Sequence, residues 1–117
     1  MTYMMQMKTV REVCDLTGVT RKQLFYYDRI GLLKPTKRTG PQRAKLYGPK
    51  AVERLNLILM YQKAGLHLIE ISEILDCGSL RAQQILCQAI ERLENESAQI
   101  QKKICFARDI LSSMDHH

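Results

Sequence analysis

Residues 19–35 read VTRKQLFYYDRIGLLKP and form the most specific pattern in the chain. Thr20 belongs to the residue types that cap helix N-termini. Leu24, Tyr27 and Ile30 follow at a spacing of three residues, which predicts one apolar stripe along a short helix. A glycine directly after Ile30 is expected to end this helix. We therefore predict a short amphipathic helix whose other face is basic.

A second short helix is predicted immediately before this one. Thr9 and Glu12 have the spacing of a capping box, and apolar residues follow at helical spacing as far as Leu16. Gly18 lies in the connection between the two helices, and Cys14, four residues earlier, is small enough to let them approach closely. Two such helices predict a helix-turn-helix, in which the second helix enters the major groove of DNA.

The next segment, residues 32–47, predicts a β-hairpin, which we call the wing. Residues 32–35 and 44–47 are its two short extended segments, and a basic turn broken by Gly40 and Pro41 connects them. Two supporting helices are expected over about residues 49–76.

The C-terminal part of the chain carries a heptad pattern. Its members are separated alternately by four and three residues, and we call them the heptad seam: Leu86, Ile90, Leu93, Ser97, Ile100, Ile104, Ala107, Leu111 and Met114. One helix cannot bury such a stripe on a small domain. We therefore predict a dimerisation helix over residues 80–114, which pairs with the same helix of a second copy.

Composition limits the class of protein and its partner. The chain has 117 residues, enough for one domain with an appendage. Residues 20–50 contain nine basic residues and one acidic residue, Asp28, so an anionic partner is expected for this segment. No apolar run reaches the length of a membrane helix, and no secretory leader is evident. We expect a cytoplasmic protein with reduced cysteines.

The motifs together resemble those of the MerR-type transcriptional regulators. Residues 19–35 are similar to the family pattern V-S/T-x-x-S/T-L-R-Y-Y-E/D-x-x-G-L-L-x-P. Residues 43–47 resemble its G-Y-R-x-Y segment, and residues 63–71 resemble its G-F-S/T-L-x-E-I segment. The chain differs at Phe25, where the family usually has Arg, and at Lys45, where it usually has Arg. No recognisable sensory segment follows the heptad seam.

The resemblance implies a mostly α fold. A winged helix-turn-helix DNA-binding domain would occupy residues 1–76, and residues 80–114 would form an antiparallel coiled coil. It also implies a homodimer that binds a near-palindromic promoter site in double-stranded DNA, distorts the DNA and acts on RNA polymerase. No enzymatic activity and no cofactor are expected.

The expected DNA contacts fall into two groups. Base edges would be read from the start of the second helix by Thr20, Arg21, Lys22 and Gln23. Phosphates would be contacted by Tyr26, Arg29, Lys37, Arg38, Arg43 and Lys45. Tyr27 is assigned to the core. Tyr47 is expected to pack the wing onto the domain while offering its hydroxyl to a phosphate.

Other functions remain open at this point. Cys77 is a weak candidate for a metal ligand, with His116 and His117 as its partners across a dimer. Cys87 and Cys105 are symmetric about residue 96, so an antiparallel dimer centred there would bring them together as a redox pair. A thiol- or metal-responsive sensor of the same fold, or a DNA-bending factor of a phage or mobile element, are the alternatives. No catalytic constellation favours an enzyme.

Overall fold

The structure, a computed structural model, describes residues 6–115. It confirms the mostly helical fold. The elements in chain order are β1 (Lys8–Thr9), α1 (Val10–Thr17), α2 (Arg21–Arg29), β2 (Lys37–Thr39), β3 (Ala44–Tyr47), α3 (Pro49–Lys63), α4 (Leu68–Asp76) and α5 (Ser79–Met114). The chain divides into two compact units with the boundary between Ser72 and Glu73. None of the described helices is long and apolar enough to cross a membrane.

The helix-turn-helix begins with the predicted capping box. The Thr9 hydroxyl accepts from the Glu12 amide at 3.2 Å, and the Glu12 carboxylate accepts from the Thr9 amide at 2.9 Å. These bonds lower the pKa of Glu12 below its ordinary value. The connection turns at Gly18, whose φ of +83° is strained for other residues and whose amide bonds the Cys14 carbonyl at 2.9 Å.

The core of the first unit contains the predicted face of α2. Leu24 is fully buried, and Tyr27 is 1% exposed with its hydroxyl donating to Gln62 Oε1 at 2.6 Å. Burial raises the pKa of Tyr27, and the bond to Gln62 opposes that rise. Ile30 was expected on the same stripe, but it is 45% exposed. The expectation was wrong because Ile30 is the C-cap of α2 and lies at the exposed end of the helix, between exposed Arg29 and Gly31.

The wing hairpin, β2 and β3, belongs to a three-stranded sheet, whereas the sequence predicts two strands. β3 is central and pairs antiparallel with β2 on one side and β1 on the other. The first strand of the hairpin is Lys37–Thr39, whereas residues 32–35 were expected to form it. Leu32 and Leu33 are instead buried, and both amides bond the Tyr27 carbonyl, at 2.9 and 3.2 Å. The apolar run in this segment therefore fills the core and does not form a strand.

The second unit contains α5, a continuous helix of 36 residues, or about 54 Å. Ile85 and Ala89 are its buried residues, and the sequence pattern did not single them out. The heptad seam lies largely outside that buried stripe. Ile90 and Ile100 are each 55% exposed, and Leu111 is 61% exposed.

Candidate nucleic-acid interface

One side of α2 presents basic and aromatic side chains together. Arg21, Lys22, Phe25, Tyr26 and Arg29 line a shallow groove of about 580 Å³, and we call these five residues the α2 face. Their spacing of one, three and four residues brings them to one side of a helix. The guanidinium carbon of Arg29 lies 5.2 Å from the centre of the Tyr26 ring, within the range of a cation–π contact. The α2 face is the polar face that the sequence predicts for this helix.

A second cleft, of about 480 Å³, lies between α1, α2 and the wing. Four of its lining residues are basic: Arg11, Arg21, Arg43 and Lys45. Arg43 has a φ of +53° and donates its amide to Gly40 at 3.0 Å, closing the turn at the wing tip. A positive φ in a residue other than glycine stores strain of order 1 kcal/mol. Arg11 adds an exposed basic side chain to this cleft, and the sequence pattern did not single it out.

Asp28 connects α2 to the wing. Arg38 Nη2 donates to both carboxylate oxygens at 3.1 and 2.9 Å, and Lys45 Nζ lies 3.0 Å from Oδ2. Burial would raise the pKa of Asp28, but the hydrogen bonds and charges of Arg38 and Lys45 outweigh it and hold the pKa below its ordinary value. The carboxylate is therefore ionised at neutral pH and fixes the position of the wing against the helix.

Lys45 also contacts an aromatic ring. Its ammonium lies 4.1 Å from the centre of the Phe25 ring, while the guanidinium carbon of Arg21 lies 6.0 Å from the same centre. The ammonium of Lys45 is thus held by the Asp28 carboxylate and by the ring. Because Arg38 and Lys45 both pair with Asp28, they are suited to positioning the wing as much as to contacting phosphate.

The four residues predicted to read base edges are all exposed, but two of them are engaged in hydrogen bonds within the chain. Arg21 and Lys22 are exposed on the first turn of α2. Thr20 and Gln23 are exposed too, but their side chains form a capping box in which Gln23 Oε1 accepts from the Thr20 amide at 2.9 Å. Gln23 Oε1 also accepts from the Thr20 hydroxyl at 3.2 Å, so both acceptor sites of this oxygen are in use, and a bidentate contact to adenine would require one of these bonds to break.

The expected phosphate contacts divide in the same way. Tyr26, Arg29, Lys37 and Arg43 are exposed. Tyr47 is completely buried, and its hydroxyl has no hydrogen-bond partner among residues 6–115. Burial raises its pKa, so the group is neutral. Tyr47 packs the wing as expected, but its hydroxyl is not accessible to a phosphate, and that part of the expectation is wrong.

Within the described part of the chain, the cysteines belong to no assembled metal site. Residues 6–115 contain no group of three or more His, Cys, Asp or Glu side chains placed to hold an ion. Cys77, Cys87 and Cys105 are exposed free thiols, and Cys14 is half-buried. His116 and His117, the expected partners of Cys77, lie outside the described residues.

Comparison with known proteins gives consistent matches. Residues 8–77 match the model of the MerR HTH family regulatory proteins. The transcriptional activator mta of Bacillus subtilis is 39% identical over 67 residues, which cover 57% of this chain and 26% of mta. The chain therefore spans about a quarter of that relative's length.

Solved structures agree with the family match. A MerR family transcriptional regulator from Bacillus cereus superimposes with a TM-score of 0.70 at 30% identity, over 94% of this chain and 78% of its own. HiNmlR, a MerR family regulator lacking the sensor domain and solved bound to promoter DNA, shares the fold with a TM-score of 0.54 at 19% identity, over 91% and 79% of the two chains. These are regulatory proteins and not enzymes, as the sequence predicted. The chain belongs to the MerR family of helix-turn-helix transcription regulators.

Proposed function

We propose that this chain binds promoter DNA as a homodimer, recognises a near-palindromic site and distorts the DNA to regulate transcription. One observation carries the proposal: the basic α2 face and the basic wing are held together by the ion pairs of Asp28 with Arg38 and Lys45. A fixed angle between a helix and a wing is what simultaneous contact with a groove and the adjacent backbone requires.

The positions of the side chains suggest separate roles. Arg21 and Lys22 stand at the N-terminal end of α2, the part of a recognition helix that reaches base edges. Tyr26, Arg29, Lys37 and Arg43 are exposed and suited to phosphates, which fix the register but do not carry sequence information. Thr20 and Gln23 support the start of α2 through the capping box. In this proposal residues 1–76 bind DNA.

The dimer is proposed from the heptad seam of α5, within residues 80–114. The seam runs along a helix of 36 residues. Five of its apolar side chains are 37 to 64% exposed: Ile90, Ile100, Ile104, Leu111 and Met114. Pairing two such seams removes these side chains from water, which is the main favourable term in association.

An antiparallel pair that uses the eight seam residues from Leu86 to Leu111 has one register. In that register Leu86 faces the partner's Leu111, and Ser97 faces the partner's Ile100. The centre then lies between residues 98 and 99 rather than at residue 96. Cys87 is displaced by five residues, about 7.5 Å along the axis, from the partner's Cys105. Since disulfides need Cα atoms within about 7 Å, this register disfavours a bond between them.

Distortion of the DNA is the part of the proposal that rests on family membership. HiNmlR was solved bound to promoter DNA although it lacks a sensor domain. By analogy, the present chain would act on promoter DNA, with RNA polymerase as the partner that responds to the altered DNA. Binding energy would be used to bend and untwist the site, which is indirect readout.

The experiment is an unbiased selection of binding sites from a pool of random duplexes, with the full chain as the bait. We expect a site with two inverted half-sites. The site is then placed in a circularly permuted fragment set to measure bending, and in a promoter for transcription in vitro. A bent complex and a changed transcript level support the proposal. An unbent complex with no effect on transcription would contradict the regulatory part, and a selection that yields no enriched duplex would contradict the whole.

A further inference from the structure

Phe25 is an exposed apolar residue at the centre of the basic surface. Its side chain is 39% exposed and lines both the groove on the α2 face and the cleft beside the wing. Its neighbours in these clefts include Arg21, Lys22, Arg29 and Arg43. A surface that contacted only phosphates would have no use for an apolar ring at this position, because phosphates are bound by charges and hydrogen-bond donors.

The ring is also held in place. Lys45 Nζ lies 4.1 Å from the ring centre and is itself tied to Asp28 at 3.0 Å, while Arg21 approaches within 6.0 Å. A positively charged residue at position 25 would stand between Arg21 and Lys45 and be repelled by both. The ring is instead attracted by both cations through its negative face. Phe25 is therefore a fixed apolar contact point inside a basic groove.

We propose that Phe25 recognises thymine by contacting the 5-methyl group in the major groove. This inference rests on the proposed function. The thymine methyl is the apolar group that distinguishes one base edge from the others in the major groove, and side chains such as Phe read it by contact. The ring has no hydrogen-bonding atom with which to read any other base edge.

The position of the thymine follows from the geometry of α2. Phe25 lies four residues, one helical turn, after Arg21, which is a displacement of about 6 Å along the helix axis. Successive base pairs are about 3.4 Å apart. The thymine should therefore lie within about two base pairs of the base that Arg21 contacts, once in each half-site.

The test is a thymine-to-deoxyuridine scan of the selected duplex, which removes one methyl group at a time and leaves base pairing unchanged. The affinity of the wild-type chain should fall about fourfold for one sensitive thymine and about 15-fold when both half-sites are changed, which corresponds to ~0.8 kcal/mol for each methyl group. Because the DNA is altered and not the protein, the result does not depend on how well a variant folds.

Two variants assign the effect to the ring. With Phe25→Ala, the thymine and deoxyuridine duplexes should bind equally well at the sensitive position. Tyr26→Ala is the matched control, since it removes the neighbouring aromatic residue of the α2 face. It should weaken binding to both duplexes by the same factor and preserve the fourfold ratio.

Three outcomes would overturn the inference while leaving the regulator itself intact. They are a selected half-site without thymine in that window, unchanged affinity for every deoxyuridine duplex, and the same sensitivity in the Phe25→Ala chain as in the wild type. The third outcome would mean that Phe25→Ala weakens all duplexes alike and that the ring only positions Lys45 and Arg21. Absence of any duplex binding by the wild-type chain would instead refute the proposed function.

Discussion

The two carboxylate oxygens of Asp28 accept from Nη2 of Arg38 at 3.1 and 2.9 Å, so one acidic residue of α2 fastens strand β2 of the wing. Lys45 of β3 approaches the same carboxylate at 3.0 Å. Both strands of the hairpin are therefore attached to the helix that precedes them. Segment 20–50 contains nine basic residues and one acidic residue, Asp28, and the charge of Asp28 holds the wing against the basic α2 face.

Replacing Asp28 with Asn should lower the free energy of unfolding by about 1–2 kcal/mol at neutral pH, because Arg38 and Lys45 lose their common partner. The side chain of Arg38 is 32% exposed, which places the figure at the low end of the range for broken ion pairs. Urea unfolding measures the change. The control is Asp15→Asn, an exposed residue of α1, which should change stability by less than about 0.5 kcal/mol.

The effect of Asp28 should depend on pH with a defined sign. The folded pKa of this carboxyl lies below its ordinary value of 3.8, so its contribution to stability is present above that value and is lost as pH falls through the folded pKa. The difference in stability between the wild type and Asp28→Asn should therefore be constant from neutral pH to about pH 5 and shrink below pH 4. A difference that stays constant down to pH 3 would show that the carboxylate charge is not responsible.

Loss of the hydroxyl should lower stability at Tyr27 but not at the adjacent Tyr26. Tyr27→Phe removes the donor to Gln62 in a part-buried site and should cost about 1 kcal/mol of stability. Tyr26→Phe changes an exposed residue and should leave stability within about 0.5 kcal/mol of the wild type. Thermal and urea unfolding of the two variants would decide. Equal effects would contradict the assignment of Tyr27 to the core and Tyr26 to the surface.

The sequence predicted the parts of the fold that depend on local signals. The Thr9–Glu12 capping box, the turn at Gly18 and the burial of Leu24 and Tyr27 are each specified within a few residues. Strand β1 could not be predicted, because two residues are too few to show alternation and the strand forms only by pairing with β3.

The other differences between the predicted and the observed structure arise from tertiary packing. Leu32 and Leu33 have the composition of a strand, but the chain turns back on α2 after Gly31 and buries them. Ile85 and Ala89 each directly precede a member of the regular heptad seam, Leu86 and Ile90, and this regular pattern concealed the separate buried stripe. For the candidate site, the sequence predicted the basic character of the surface, but it did not predict the pairing of Asp28 with the wing. Arg38 and Lys45 lie ten and seventeen positions after Asp28, and ion pairs at such separations leave no periodic pattern in the sequence.

Arg21 and Lys37 should have distinguishable effects on DNA binding. Arg21→Ala removes a side chain from the first turn of α2 and should reduce affinity for the selected site by about 1–3 kcal/mol while relaxing specificity at one base pair. Lys37→Ala should weaken binding to all sequences alike. It should also reduce, by about one, the slope of the logarithm of the binding constant against the logarithm of the salt concentration. Competition binding with selected and scrambled duplexes separates the two. Equal loss of specificity in both variants would refute the division between base and phosphate contacts.

A charge in the middle of the heptad seam should prevent dimerisation. Ile100→Asp places a carboxylate where two apolar seams would meet, and an unpaired charge there is strongly unfavourable. Sedimentation equilibrium should show a monomer and a weakened complex with the full palindrome. Gln99→Asp adds the same charge one residue away, off the seam, and should remain a dimer. A dimeric Ile100→Asp chain would place the interface elsewhere.

In the proposed complex, one pair of α5 helices sets the separation of two basic winged helices on the DNA. The decisive measurement is the affinity for the selected palindrome with and without five extra base pairs between the half-sites, at several salt concentrations. Five base pairs rotate one half-site by about half a helical turn. We predict that the insertion lowers affinity at least about tenfold and that affinity for the unaltered site falls steeply with salt. Equal affinity for both duplexes, or affinity independent of salt, would contradict the claim.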